Sequence, residues 1–177
     1  MTVVRNHWPL PFLLHYCVCD SALGHVVMAA TPSGIAAVLL GDSEQAVMQD
    51  LQQRYPQAWL EPGGALLERW GDSVLNLLAH PTLEHVVPLE AVRSTDFQRQ
   101  VWKTLRAIPA GQTRTYSDVA KALGKPQAVR AVASACAANP WAVLVPCHRV
   151  LRSDGGLGGY RWGVERKLRL LQLEGAR

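Results

Sequence analysis

Residues 144–150 read Leu144-Val145-Pro146-Cys147-His148-Arg149-Val150. The apolar run over 141–145 has the length and composition of a short buried strand. It stops at Pro146, and a thiol and an imidazole follow at once. A strand end that presents Cys147 beside His148 suits nucleophilic chemistry. The thiolate is the reactive form, and a free cysteine with a pKa of about 8.5 is only slightly ionised at neutral pH. It therefore needs a base or a positive field close by, and His148 and Arg149 are the candidates. The plainer alternative is that Cys147 is a small buried hydrophobe.

Upstream of this stretch the pattern is helical. Thr95-Asp96-Phe97-Gln98 forms a capping box. The helix it starts carries Phe97, Val101, Leu105 and Ile108 on one stripe and Arg99, Lys103 and Arg106 on the other side. Pro109 and Gly111 end it. Ser117 is read as the cap of a short helix through Leu123, with Gly124-Lys125-Pro126 as a turn. A second helix is predicted over 127–138, stopped by Asn139-Pro140. Together these read as a helix-turn-helix. The second helix is rich in alanine, with Ser134 and Cys136 also small, which suits tight core packing or a narrow groove. Downstream, Gly155, Gly156, Gly158 and Gly159 make a flexible turn that has neither the Gly-Lys-Ser/Thr of a phosphate loop nor a dinucleotide fingerprint. Residues 163–174 close the chain's pattern as a helix with Val164, Leu168 and Leu171 on one face.

The first half reads as α plus β. Strands are predicted over 12–19, 24–31 and 35–40, with turns at Asp20-Ser21 and Pro32-Ser33-Gly34. The simplest arrangement is a meandering antiparallel sheet. Ser43 caps a helix with Ala46, Val47 and Leu51 on one face, and a second helix is expected over about 65–79, ended by His80-Pro81. The chain thus divides into an α/β scaffold over 1–79, a linker over 80–93 with Pro81 and Pro88, and a mostly helical unit over 94–177.

Composition narrows the class. Apolar residues make up 49% of the 177, enough for a core, and no apolar run approaches a membrane span. The run at 10–14 is broken by Pro11 and makes a poor signal peptide, so a cytoplasmic protein with reduced thiols is expected. Cys17 and Cys19 share a strand face, and His7, His15, His25, His80 and His85 lie in the same half. Zinc-ligand spacing is missing, so no metal is expected. Charge is asymmetric. Residues 1–92 hold three arginines against nine acids, a net of −6, and residues 93–177 hold fifteen Lys and Arg against five acids, a net of +10. The second half is the one suited to a polyanion.

Pro-Cys-His-Arg-Val at 146–150 is the signature of the O6-alkylguanine-DNA alkyltransferases. The chain resembles that family from about 94 to 174: in Thr115-Tyr116-Ser117, Ala128-Val129-Arg130-Ala131-Val132, Asn139-Pro140, Gly158-Gly159-Tyr160-Arg161-Trp162-Gly163-Val164, Arg166-Lys167, and Leu170-Leu171 before Glu174. The Tyr-Arg-Trp-Gly-Val form is shared with the C-terminal half of the bacterial adaptive-response alkyltransferase.

The resemblance implies an α+β chain: a ribonuclease H-like N-terminal half, then a winged-helix-like unit containing the helix-turn-helix. It implies single-turnover repair, in which Cys147 takes the alkyl group from O6-alkylguanine, with O4-alkylthymine as a second substrate. His148 acts as base, Glu174 orients it and Tyr116 donates to the guanine. Double-stranded DNA is the implied partner, met through the minor groove without regard to sequence by a monomer. Arg130, Ala131, Ser134, Lys125 and Thr115 make that contact, and Arg130 fills the gap left by the extruded base. Val150, Tyr160, Arg161, Trp162 and Asn139 form or brace the base pocket, and no cofactor is needed. Arg161 and Trp162 are bulky where some relatives carry Ser-Gly, so a crowded pocket that disfavours benzyl-sized adducts is expected. The rivals are a damage binder without chemistry, a helix-turn-helix regulator and a turnover cysteine hydrolase.

Overall fold

A computed structural model describes residues 11–84 and 86–177. Leu10, His7 and His85 lie outside the described residues. The fold is α+β. In the first half, β1 (Phe12–Ser21), β2 (Gly24–Thr31) and β3 (Gly34–Gly41) run antiparallel in sequence. Residues 26–30 of β2 and 35–39 of β3 are almost wholly excluded from solvent. That is why these strands read as unbroken apolar runs and not as alternating ones. Ser43 caps α1 (Glu44–Arg54) by accepting from the Ala46 amide.

The sheet is not the antiparallel meander expected. β4 (Ala58–Pro62) adds to the far side of β1 in parallel register, so the order is β3-β2-β1-β4 and the sheet is mixed. After β3, the chain crosses through α1 to the opposite edge, and a helical crossover permits parallel pairing. β4 has only five residues, ends at a proline, and exposes Trp59 at 68%, so it lacked the apolar pattern of a strand. α2 (Ala65–Ala79) follows and packs against β1 and β2.

Residues 88–90 lie along the start of β3. The Ile35 amide donates to the Pro88 carbonyl at 2.8 Å, and the Glu90 amide donates to the Ile35 carbonyl at 2.9 Å. Position 34 must be glycine for this approach, since a Cβ there would lie 2.6 Å from the Pro88 oxygen.

The second half contains α3 (Asp96–Arg106), β5 (Arg114–Thr115), α4 (Tyr116–Ala122), α5 (Val129–Ala137), a 3-10 turn over Cys147–Arg149, β6 (Val150–Leu151) and α6 (Val164–Leu173). The capping box at Thr95 and Gln98 is formed on both sides. Three local expectations change. α4 is capped by Thr115, not Ser117: Thr115 and Asp118 form a second capping box, and β5 pairing with β6 fixes Thr115 at the helix entrance. The buried face of α6 is Lys167, Leu170 and Leu171, while Val164 and Leu168 are exposed.

Third, residues 141–145 are buried but form a turn instead of a strand. Only Trp141 pairs with the sheet, in a bridge to Val38, with Ala142 N to Val38 O at 2.9 Å. Val143 then adopts φ 65°, a left-handed conformation unusual for a β-branched residue. An apolar run records burial, and burial alone does not separate a strand from a folded-back turn. The same segment joins the two halves: the Trp141 indole donates to the Ile35 carbonyl at 2.8 Å and stacks edge-on against Trp102.

Candidate active site

Asn139, just past α5, is fully buried and organises the turn that carries the cysteine. Its amide nitrogen donates to the carbonyls of Trp141 (3.1 Å) and Val145 (2.9 Å), and its oxygen accepts from the Trp141 amide at 2.9 Å. The same nitrogen reaches Cys147 Sγ at 3.3 Å. One side chain thus closes the 139–147 loop and places a donor on the sulfur. The 3-10 turn beginning at Cys147 then sends His148 and Arg149 inward, where both are buried.

Their common partner is Glu174, the residue that caps the C-terminus of α6. His148 Nε2 lies 2.8 Å from Glu174 Oε1, with both side chains sealed from solvent. Arg149 donates Nη2 to Oε1 at 2.8 Å and Nε to Oε2 at 3.0 Å, and its other end holds the carbonyls of Ile108 and Pro81. Burial would raise the Glu174 pKa, but the hydrogen bonds and charges of His148 and Arg149 outweigh it and hold the carboxyl below its usual range. An ionised Glu174 accepts, so Nε2 carries the ring proton. His148 Nδ1 is left as a buried lone pair with no hydrogen-bond partner. Burial, only partly offset by Glu174, lowers the His148 pKa and keeps the ring neutral. Arg149 therefore serves the carboxylate, a different role from the field on the cysteine considered from the sequence.

Cys147 does not rest as an anion. Burial pushes its pKa up to about 11, against the smaller opposing effects of the Asn139 hydrogen bond and the Lys167 charge. The thiol keeps its proton until something takes it.

The sulfur opens on a cavity of about 330 Å³ lined by Tyr116, Ala133, Cys136, Ala137, Cys147, Gly159, Tyr160 and Arg161. α5 forms one wall and the 159–161 segment the other. Burial pushes the Tyr116 phenol up to about 12, so it stays a donor. Gly158, at φ +67°, lets the loop pass the phenol, where a Cβ would lie 3.2 Å from Oη. Of the residues assigned to the pocket, Tyr160 and Arg161 line it. Val150 and Trp162 do not, and Trp162 is buried edge-on against Tyr160 at 5.2 Å; Asn139, expected as a brace, lies beneath the cysteine turn and holds it. The carbonyl of Val150 is engaged by Lys167 Nζ at 2.6 Å.

Lys167 was missed as a site residue. It is fully buried on α6, and its ammonium also holds the carbonyls of Leu157 (bond formed) and Gly159 (3.3 Å), clamping the pocket loop. Burial pulls its pKa down to about 8. Its spacing was the available signal, because Lys167 falls three and four residues before Leu170 and Leu171, on the apolar stripe of α6.

Arg130, Ala131, Ser134 and Ala137 are exposed on the outer side of α5, whose inner side carries Val132, Ala135 and Cys136. Lys125 is exposed in the turn before α5, with its ammonium over the Phe97 ring. Thr115 is half-buried, and its hydroxyl is occupied by Asp118 at 2.7 Å. Cys17 and Cys19 lie on β1, and among the described residues no group of three or more potential metal ligands gathers.

A family model described as "6-O-methylguanine DNA methyltransferase, DNA binding domain" matches residues 96–176. The methylated-DNA–protein-cysteine methyltransferase of Mycobacterium bovis is 38% identical over 168 residues, covering 93% of this chain and 94% of that protein. The chain belongs to the methylated-DNA–protein-cysteine methyltransferase family. It is also 46% identical, over 91% of its length, to the bifunctional transcriptional activator/DNA repair enzyme Ada of Escherichia coli. It spans only 45% of that protein's length. Among solved structures, the OGT of Mycobacterium tuberculosis in complex with DNA superposes with a TM-score of 0.73 at 36% identity, over 92% of this chain and 93% of that one. Among the described residues no helix is long and apolar enough to cross a membrane.

Proposed function

We propose that this methyltransferase reverses DNA alkylation directly, moving the alkyl group from guanine O6, or thymine O4, to Cys147 once per molecule. One observation carries the reading: a protonated, buried thiol faces a base-sized cavity while the neutral imidazole next in sequence is tied to an ionised carboxylate.

In this scheme His148 Nδ1 takes the Cys147 proton, through a water, as a general base. Sγ attacks the alkyl carbon, the S–C bond forms and the C–O6 bond breaks. The electron pair goes to the purine, which takes a proton from Tyr116, and the imidazolium returns its proton to the tyrosinate, so that His148 and Tyr116 both end neutral. Glu174 stabilises that imidazolium, as the carboxylate does in hydrolytic triads. The thioether has no easy leaving group, so the sulfur is not regenerated. Arg161 supports a preference for methyl over benzyl-sized adducts. No metal or cofactor enters the scheme.

The target base must leave the stack to reach the cavity. α5 forms the cavity wall and carries Arg130 on its outer side, which supports its entry into the minor groove with Arg130 in the vacated gap. Ala131 and Ser134 permit close approach, and Lys125 holds phosphate. Contacts of this type give binding that is sequence-independent and salt-sensitive. The N-terminal half (1–79, with the 80–93 connection) is the scaffold of the alkyl-transfer unit (94–177), and their respective ribonuclease H-like and winged-helix-like descriptions belong to the same proposal. The protein acts as a cytoplasmic monomer.

Mass spectrometry after incubation with O6-methylguanine duplex tests the chemistry. One methyl per molecule on the Cys147 peptide, and none in Cys147→Ser, is the expected result. Multiple turnovers would indicate a hydrolase, and DNA binding without an adduct would indicate a damage binder or a regulator.

A further inference from the structure

The N-terminal half reaches both walls of the alkyl pocket through one helix. Arg161, on the pocket wall, is ion-paired through its guanidinium with Asp50 of α1. The pair is largely covered, with 33% of the Arg161 and 22% of the Asp50 side-chain surface left exposed. One helical turn beyond Asp50, Arg54 donates Nη1 to the carbonyl of Ala138 at 2.8 Å. Ala138 ends α5, whose Ala133, Cys136 and Ala137 form the facing wall. Asp50 also attracts the Arg54 guanidinium, which Arg161 repels.

The consequences are mechanical. The 159–161 wall follows a glycine-rich turn with little stiffness of its own. Lys167 clamps it from inside at Leu157 and Gly159, but Arg161 itself is held from the other half of the protein. Without Asp50, Arg161 would face the Arg54 charge unbalanced and move away.

We propose that Asp50 is a positioning residue for the alkyl pocket: by holding Arg161 against α1 it fixes the distance from the 159–161 wall to α5, and so limits the size of O6 substituent that reaches Cys147. Its substrate arm rests on the alkyl-transfer reading above, and its structural arm does not.

The structural arm is amide hydrogen exchange in the full chain. Asp50→Asn should speed exchange over residues 157–163 and leave the β2–β3 amides unchanged. Glu44→Gln, which removes the same charge from the exposed start of α1, should leave both unchanged. The substrate arm compares the rates at which Cys147 reacts with O6-methylguanine and O6-benzylguanine in duplex DNA. A partly covered ion pair of this kind should move the benzyl-to-methyl ratio by about two- to fivefold in favour of benzyl. Asp50→Glu should restore the ratio, and Asp50→Asn should add nothing in an Arg161→Ala background. Unchanged loop exchange, or an identical response in Asp50→Asn and Glu44→Gln, overturns the proposal. If wild-type protein gains no methyl at all, the alkyl-transfer reading fails instead, and the exchange result still decides the role of Asp50.

Discussion

The Arg149 guanidinium meets the Glu174 carboxylate edge to edge, Nη2 at 2.8 Å from Oε1 and Nε at 3.0 Å from Oε2, and His148 Nε2 shares the first oxygen. One buried carboxylate therefore serves a structural cation and a chemical base. Breaking such a buried pair from one side leaves the other charge uncompensated, at a cost of about 3–5 kcal/mol. Glu174→Gln should destabilise the fold by an amount in that range and slow alkyl transfer to Cys147. Urea unfolding and the single-turnover rate check the two effects.

The same network makes stability sensitive to acid. The pKa of His148 is lower in the folded than in the unfolded protein. The unfolded state therefore takes up a proton first, and stability present above about pH 6.5 falls as pH drops below it. Glu174 is also depressed, so its contribution is present above about pH 4.3 and is lost as pH falls further through the folded value. His148→Asn should flatten the upper part of this decline, which begins below about pH 6.5. Denaturant midpoints measured through that decline provide the check.

Cys147 should behave in the opposite sense at high pH. Its folded pKa of about 11 lies above the ordinary thiol value of about 8.5. The unfolded thiol ionises first, so stability falls as pH rises through that interval, and Cys147→Ala should remove this part of the decline. The protected thiol should also react with iodoacetamide at pH 8 far more slowly than free cysteine does. Equal rates would show that burial does not raise the pKa of this thiol.

Lys167→Met keeps the bulk of the α6 core position but removes the donor to Val150, Leu157 and Gly159. Leaving buried carbonyls without a partner costs about 1–3 kcal/mol each where water cannot replace the lysine. Lower stability and a slower methyl transfer are expected together, with faster amide exchange at residues 157–159. Differential scanning calorimetry and the single-turnover assay measure the first two.

Arg130 is exposed on α5, with nothing in the core depending on it. Arg130→Ala should change stability by no more than about 0.5 kcal/mol. It should nonetheless slow repair in duplex DNA more than in free O6-methylguanine, because only the duplex requires extrusion of the base. Equal slowing on both substrates would argue against a role in flipping.

Local order was legible in the chain wherever neighbours in sequence settle it. The caps at Ser43 and Thr95, the limits of α2 and the burial of β2 and β3 all follow from side chains within a few positions of one another. The Cys147-His148 pair and the motifs around it likewise pointed to the chemistry and the family. Other features depended on residues far apart in the chain. Residues 141–145 are apolar in either a strand or a turn, and it was Asn139, closing on Val145 and Cys147, that selected the turn. β4 became a strand because β1 offered an open edge. Lys167 could be buried because three carbonyls from other segments converge on it, and the ionisation of Glu174 depends on Arg149 arriving from 25 residues away. Short-range pattern encodes hydrogen bonds and apolar faces within a segment, whereas pKa values, pocket walls and the Asp50–Arg161 contact exist only once desolvation and distance are set by the folded chain.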